Sequence, residues 1–103
     1  MIRSYQNKET QDVHDGKKSR RLGDLTRKAL RKLDQIHNAA QLSDLAVPPG
    51  NHLEPMKGRV RKGQHSIRIN LQWRICFTWD EETGDAEEVE IVDYHDESKS
   101  RHR

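Results

Sequence analysis

The apolar residues of this chain change period at Pro48-Pro49-Gly50-Asn51. Before that point Leu22, Leu25, Ala29, Leu33, Ile36 and Ala40 recur at steps of three and four, the spacing that gathers side chains on one face of a helix. After it Ile67, Ile69, Trp73, Ile75, Phe77 and Trp79 occupy alternate positions, which is the period of a strand with one buried face. Two successive prolines supply no N–H and cannot continue a helix, so the break separates a helical part from a sheet part. Such a chain must bury a helix stripe against a sheet face. The expected fold class is therefore α+β, a small antiparallel β-sheet with helices packed on one face.

The helical stripe predicts a helix over about 23–40, with Asp24 as its N-cap and Arg27, Lys28, Arg31 and Lys32 on the solvent side. A short helix is expected over 8–14, closed by Gly16, and another over 41–45. Met1 to Tyr5 reads as an edge strand. Further strands are expected over 53–56, 65–70, 72–79 and 87–94. Asn70-Leu71 reads as a tight two-residue connection, and Asp80 to Ala86 as a turn rich in Glu, Thr and Gly. With 103 residues the chain holds one core, so residues 1–95 are expected to form a single domain and 96–103 a disordered tail.

Size and composition exclude several classes of function. A domain this small has no room for a deep cleft between two lobes, so any chemistry belongs on a shallow surface. A mean hydropathy of -1.14 leaves no stretch for a membrane span, and the opening Met1-Ile2-Arg3-Ser4-Tyr5 has no apolar signal region; a cytoplasmic location is expected. Cys76 is the single cysteine, which excludes an internal disulfide. No zinc-protease, Cys-x-x-Cys, phosphate-loop or serine-hydrolase motif is present, so neither metal nor cofactor is expected. The formal charge of +2 conceals a segregation. Residues 1–75 carry 16 Lys and Arg against 7 Asp and Glu, and residues 76–103 carry 3 against 10. A basic segment of this kind attracts polyanions.

Four constellations stand out. Lys57-Gly58-Arg59-Val60-Arg61-Lys62-Gly63 sets four cations in a loop bracketed by glycines, suited to close approach of a phosphate chain or else simply a solvated turn. Lys17, Lys18, Arg20 and Arg21 precede the long helix, and with its four outer cations they make eight positive charges between positions 17 and 32 with Asp24 the one acid. Carboxylates would ordinarily be interspersed, so an RNA or an acidic protein is the expected partner. Arg68 and Arg74 occupy the even-numbered face of the sheet, where a guanidinium can clamp a phosphate or pair with Glu88 or Glu90. Asp93-Tyr94-His95 ends the last strand with a carboxylate, a phenol and an imidazole, and Lys57 and Arg74 are available from other strands. Of the remaining histidines, His65 reads as a core-rim residue, His14 and His37 have no partner motif, and His52 lies near Glu54.

The ordered set Leu53-Glu54-Pro55-Met56-Lys57-Gly58, then Ser66-Ile67-Arg68-Ile69-Asn70 with Gln72-Trp73-Arg74-Ile75-Cys76-Phe77, then Val92-Asp93-Tyr94-His95 closely resembles the HigB group of the RelE/ParE toxin superfamily. The resemblance runs from Met1 to His95 and implies a RelE-like sheet with helices on one face. It also implies a type II toxin: a metal-independent endoribonuclease that enters the ribosomal A site, cuts mRNA there and inhibits translation. A HigA-like antitoxin with a helix-turn-helix domain would neutralise it, and operator DNA would be reached only through that antitoxin. Carried onto matching positions, Lys57, Arg74, Asp93, Tyr94 and His95 would belong to the active site. Some members place a histidine where this chain has Glu54, so either Glu54 takes the base role or His52 does. Two other functions fit a chain of this kind, a ParE-like DNA gyrase poison and a non-catalytic module that binds ribosome or RNA. The ending Asp93-Tyr94-His95 together with Lys57 and Arg74 argues against the gyrase poison.

Overall fold

The alternation from Ile67 to Trp79 produces the middle of a four-stranded antiparallel sheet. A computed structural model of the chain describes residues 1–94. In chain order it has α1 (Lys8–His14), α2 (Thr26–Asn38), β1 (Glu54–Pro55), β2 (Gln64–Arg68), β3 (Trp73–Asp80) and β4 (Asp85–Asp93), with 3-10 turns over Gly23–Leu25 and Leu42–Ala46. The strands lie side by side in sequence order. Both helices cover one face, as the α+β expectation requires. The tail 96–103 falls outside the described residues.

Odd-numbered residues of β2 and β3 form the main core. Ile67, Ile75 and Phe77 are fully buried there, against Ala29, Leu33 and Ile36 of α2 and Val13 of α1. Burying each of these large side chains contributes on the order of 1.5–3 kcal/mol. β4 keeps this face inward by means of a bulge. Cys76 is opposite Glu90 and Thr78 opposite Glu87, so β4 carries one extra residue there, and Glu88 adopts φ 53°. The inserted residue shifts the side-chain parity, which is why Ala86, Val89 and Ile91 all reach the same core. The N-terminal segment runs parallel to β4, with bridges Ile2 to Ala86 and Tyr5 to Val89. It thus edges the sheet as expected, through isolated bridges in place of a continuous strand.

Local chemistry set several boundaries differently from the sequence pattern. Asn7 caps α1, its side chain accepting the N–H of Thr10, and Gly16 closes the helix at φ 96°. The long helix begins at Thr26 because Gly23–Leu25 winds as a 3-10 turn, and Asp24 lies inside that turn without capping α2. The short helix expected at 41–45 is a 3-10 turn at Leu42–Ala46, with a capping box between Gln41 and Asp44. The β2–β3 connection is longer than two residues. Asn70 turns its side-chain oxygen back to accept the N–H groups of Gln72 (2.9 Å) and Trp73 (2.7 Å), so the β2–β3 pairing ends at Arg68 and Arg74. Lys32, expected in solvent, is 8% exposed. Its ammonium donates to the side chain of the fully buried Asn51.

Candidate functional site

The sheet face turned away from the helices carries a second, smaller apolar cluster of Met56, Cys76 and Val92, with Tyr94 packed against it. Strand parity explains the grouping: Cys76 lies two residues beyond Arg74 on β3, and Val92 is the cross-strand partner of Arg74. Arg74 stands at this cluster and is 2% exposed. The sequence leaves two roles open to it, clamping a phosphate or pairing with Glu88 or Glu90; its burial leaves no solvent-facing guanidinium, and its contacts go to other residues. Nε donates to Ser66 Oγ at 2.8 Å and Nη2 to the carbonyl of His52 at 2.8 Å. Nη2 also lies 3.5 Å from the Glu54 carboxylate, and the guanidinium carbon is 5.2 Å from the centre of the Tyr94 ring. Burial pushes the basicity of Arg74 down, and the Glu54 carboxylate acts in the opposite direction. Glu54, Arg74 and Tyr94 thus form one layered group, a buried cation beneath a half-exposed carboxylate and an aromatic ring.

Gln72 fixes where this group ends. Its backbone oxygen accepts the Tyr94 N–H at 2.6 Å and its side-chain amide donates to Asp93 Oδ2 at 3.0 Å. The β2–β3 turn therefore grips the end of β4. Asp93 is paired in register with the core residue Trp73, whereas Tyr94 joins the Arg74 face, so the two neighbours diverge. The carboxylate of Asp93 raises the basicity of Arg21 on the helix side, after the larger effect of Glu9. His95 lies outside the described residues.

The loop between β1 and β2 carries Lys57, Arg59 and Lys62 in exposed positions. Arg61, expected with them as an RNA-binding cation, instead folds back on the sheet, its guanidinium 2.9 Å from Glu90 Oε1 and 3.2 Å from Gln64 Oε1. Glu90, an expected partner for Arg68, thus pairs with Arg61. Arg68 is partly exposed and has no ion-pair partner among the described residues; it sits directly across from Arg74. Two cations at the loop tip predict a definite salt response. Arg59→Ala with Lys62→Ala should lower the log–log salt slope of binding to single-stranded RNA by about 1.4, roughly 0.7 for each phosphate no longer neutralised. Filter binding over a salt series measures it, and an unchanged slope would leave the loop a solvated turn.

The basic run from 17 to 32 is only partly free. The carboxylates missing from its own sequence come from α1. Glu9 holds Arg21 at 2.6 Å, and Asp12 lies 3.6 Å from Lys17. Arg21 also lies over the ring of Trp73, 4.9 Å from its centre. These contacts make Arg21 a packing residue that seals the end of the core. Lys18, Arg20, Arg27, Lys28 and Arg31 remain exposed or nearly so on this outer side, opposite the Arg74 face.

Sequence reasoning missed Ser66 and Gln72, and gave Glu90 to Arg68 or Arg74 where the fold gives it to Arg61. Parity alone assigns Ser66 to the Arg74 face, but nothing in the sequence marks Gln72 as a clamp. His14 and His37, which have no partner motif, do have partners in the fold. His14 bonds the Tyr5 hydroxyl and, at 3.2 Å, Asp34, and His37 accepts the N–H of Ile2 at 3.1 Å. They tie the N-terminal segment to the helices. Among the described residues no group of three or more metal-ligating side chains converges, and no helix is long and apolar enough to cross a membrane.

Known proteins share this sequence pattern. A family described as the RelE-like toxin of the type II toxin-antitoxin system HigB matches residues 3–95. Toxin HigB-1 of Vibrio cholerae serotype O1 is 41% identical over 70 residues, which cover 67% of this chain and 73% of that protein. An uncharacterized protein of Haemophilus influenzae is 40% identical over 50 residues, 48% of each chain.

Proposed function

Since the chain belongs to the HigB-like family of RelE-like toxins from type II toxin-antitoxin systems, we propose that it is a ribosome-dependent endoribonuclease that cuts mRNA in the A site and is neutralised by a HigA-like antitoxin in the cytoplasm. The observation that supports it is the layered group of Glu54, Arg74 and Tyr94 on an open sheet face, flanked by Lys57, Arg59, Lys62 and Arg68. A shallow face of this kind suits a substrate held by something larger. The ribosome would fix the mRNA, and orientation alone lowers the barrier of such a reaction by several kcal/mol, of order 7–11 in the best cases.

Scission begins when a ribose 2′-hydroxyl loses its proton and attacks the adjacent phosphate, and ends when the 5′-oxygen leaves with a proton. Glu54 is half exposed and can take the first proton as its carboxylate. His52 lies two residues away in sequence, and its carbonyl is engaged by Arg74. His95 supplies the second proton to the departing 5′-oxygen, a step contributing about 10²–10⁴-fold. Tyr94 offers a ring for base stacking and a hydroxyl near the reacting oxygens. Charge gathering on the phosphate is met by Lys57 and Arg68, the accessible cations. Arg74 acts from beneath: it positions Glu54 and Tyr94 and adds a fixed positive field where water is excluded.

Primer extension on a reporter mRNA after induction tests the proposal. Breaks in phase with codons that vanish when translation is blocked are expected. Supercoiling defects without breaks would indicate a gyrase poison, and an inhibited ribosome with intact mRNA a non-catalytic binder.

A further inference from the structure

A concavity lies between the Leu42–Ala46 turn and the far end of the sheet. It has a volume of about 590 Å³, and Leu42, Leu53, Pro55, Trp79 and Ala46 line it together with His65. Leu42, Leu53 and Trp79 are only partly buried although they pack against the main core, so the groove leaves apolar surface uncovered. Its volume falls within the roughly 300–1,000 Å³ typical of binding sites.

Its charge is opposite to that of the basic loop and the outer side of α2. Glu54 and Glu81 are its acidic lining residues, and no lysine or arginine lines it. The adjoining turn adds Asp80 and Glu82, with Asp80 holding the turn by accepting the N–H groups of Glu82 (2.9 Å) and Thr83 (3.3 Å). An RNA backbone would be repelled at Glu81 and the adjoining turn. Apolar surface ringed by carboxylates suits a protein segment that presents apolar side chains flanked by Lys or Arg, because the cations steer encounter and the apolar contacts hold it. The wall also contains a polar atom in need of a partner: His65 Nδ1 is buried and makes no hydrogen bond among the described residues. Such an atom costs about 1–3 kcal/mol, and an occupant that turns the ring or reaches it would relieve that cost.

We propose that this groove docks a cationic, partly apolar segment of a protein partner, on a surface that adjoins the RNA site and shares Glu54 with it. That the partner is the antitoxin encoded with the toxin rests on the proposed toxin function; the docking chemistry does not. Glu54 belongs both to the groove lining and to the Arg74 ion pair. A partner seated in the groove therefore meets Glu54 itself, and its docking bears on the RNA site through that carboxylate.

The test uses the full chain and the co-encoded antitoxin as probe, in calorimetric titrations of Leu42→Arg and Glu81→Arg. Each should weaken antitoxin binding at least roughly tenfold, the size of a single interface hot spot, and antitoxin addition should shield Trp79 from acrylamide in the parent. Glu81 is exposed, so its variant tests the groove without threatening the fold. Affinities unchanged in both variants would overturn the proposal. So would loss of binding in the Arg59→Ala with Lys62→Ala protein, since docking would then lie on the basic loop. Cleavage is followed separately by primer extension, so a chain that fails to cut mRNA but loses antitoxin at the groove refutes the ribonuclease and leaves the groove standing.

Discussion

Arg74→Lys should retain a compact fold and lose about 10²–10³-fold of ribosome-dependent cleavage, the cost of removing one preorganised electrostatic group. The reason is geometric. The guanidinium uses Nε for Ser66 Oγ and Nη2 for the His52 carbonyl, while facing Glu54 and the Tyr94 ring. A lysine keeps the charge but has one terminal nitrogen, which cannot serve Ser66 and His52 from a planar fork while facing the ring. The Ser66 hydroxyl or the His52 carbonyl would lose its partner, and for the buried Ser66 that costs about 1–3 kcal/mol. Urea unfolding of the variant should therefore show a similar loss, with an unchanged dependence on denaturant. Primer extension should show codon-linked breaks reduced to near background. A variant that unfolds more easily yet cuts at the parent rate would confine Arg74 to packing and remove it from the site.

Burial decides how Arg74 acts. At 2% exposure it has no surface to offer a phosphate, so its influence passes through the carboxylate and ring above it and through its field.

The α+β architecture was legible because the two periods are clean. Ile67, Ile75 and Phe77 needed only the rule that alternate side chains share a face, and Ala29, Leu33 and Ile36 only the helical repeat. What the pattern hid were contacts between segments far apart in the chain. Lys32 reads as one more surface cation until Asn51, 19 residues later, meets its ammonium. The run from Lys17 to Lys32 looks starved of carboxylates because Glu9 and Asp12 belong to another helix. Arg61 reads as a loop cation, and only the register that brings Glu90 beneath the loop reveals it as an anchor. The bulge at Glu88 has no sequence mark, for Glu is a poor choice at φ 53° and a glycine would have announced the site. The group around Arg74 was half legible: strand parity assigned Arg68 and Arg74 to one face, but it did not reveal that the same face is roofed at Arg74 and open at Arg68.

Asn51→Ala should be among the most destabilising single changes in the protein, because this fully buried side chain is where the helix, the Pro48–Gly50 break and the site are joined. Its oxygen accepts from Lys32 Nζ. Its amide donates to Gln35 Oε1 and to the Leu45 carbonyl, both at 3.0 Å, and its own carbonyl accepts the Arg68 N–H at 2.6 Å. Alanine would leave a buried ammonium without this hydrogen-bond partner, and a hydrogen bond to a charged group contributes about 1.5–3 kcal/mol. Cleavage should fall as well, since His52, whose carbonyl holds Arg74, is the next residue at φ 47°. Adding Lys32→Met should recover a substantial part of the stability by removing the stranded charge, and a double-mutant cycle from urea unfolding measures the coupling. The pH dependence has a definite sign. Burial, then the charges of Lys28 and Arg31, lower the pKa of Lys32 from its ordinary 10.5. Below the lowered value both folded and unfolded chains carry the proton, and the burial penalty is present in full. As pH climbs from there toward 10.5 the folded chain releases its proton first, the unfolded chain binds more protons, and stability rises. Compared with Lys32→Met, the parent should therefore gain stability between neutral pH and the ordinary lysine range, and a difference that stays flat across that interval would show that the ammonium bears no desolvation cost.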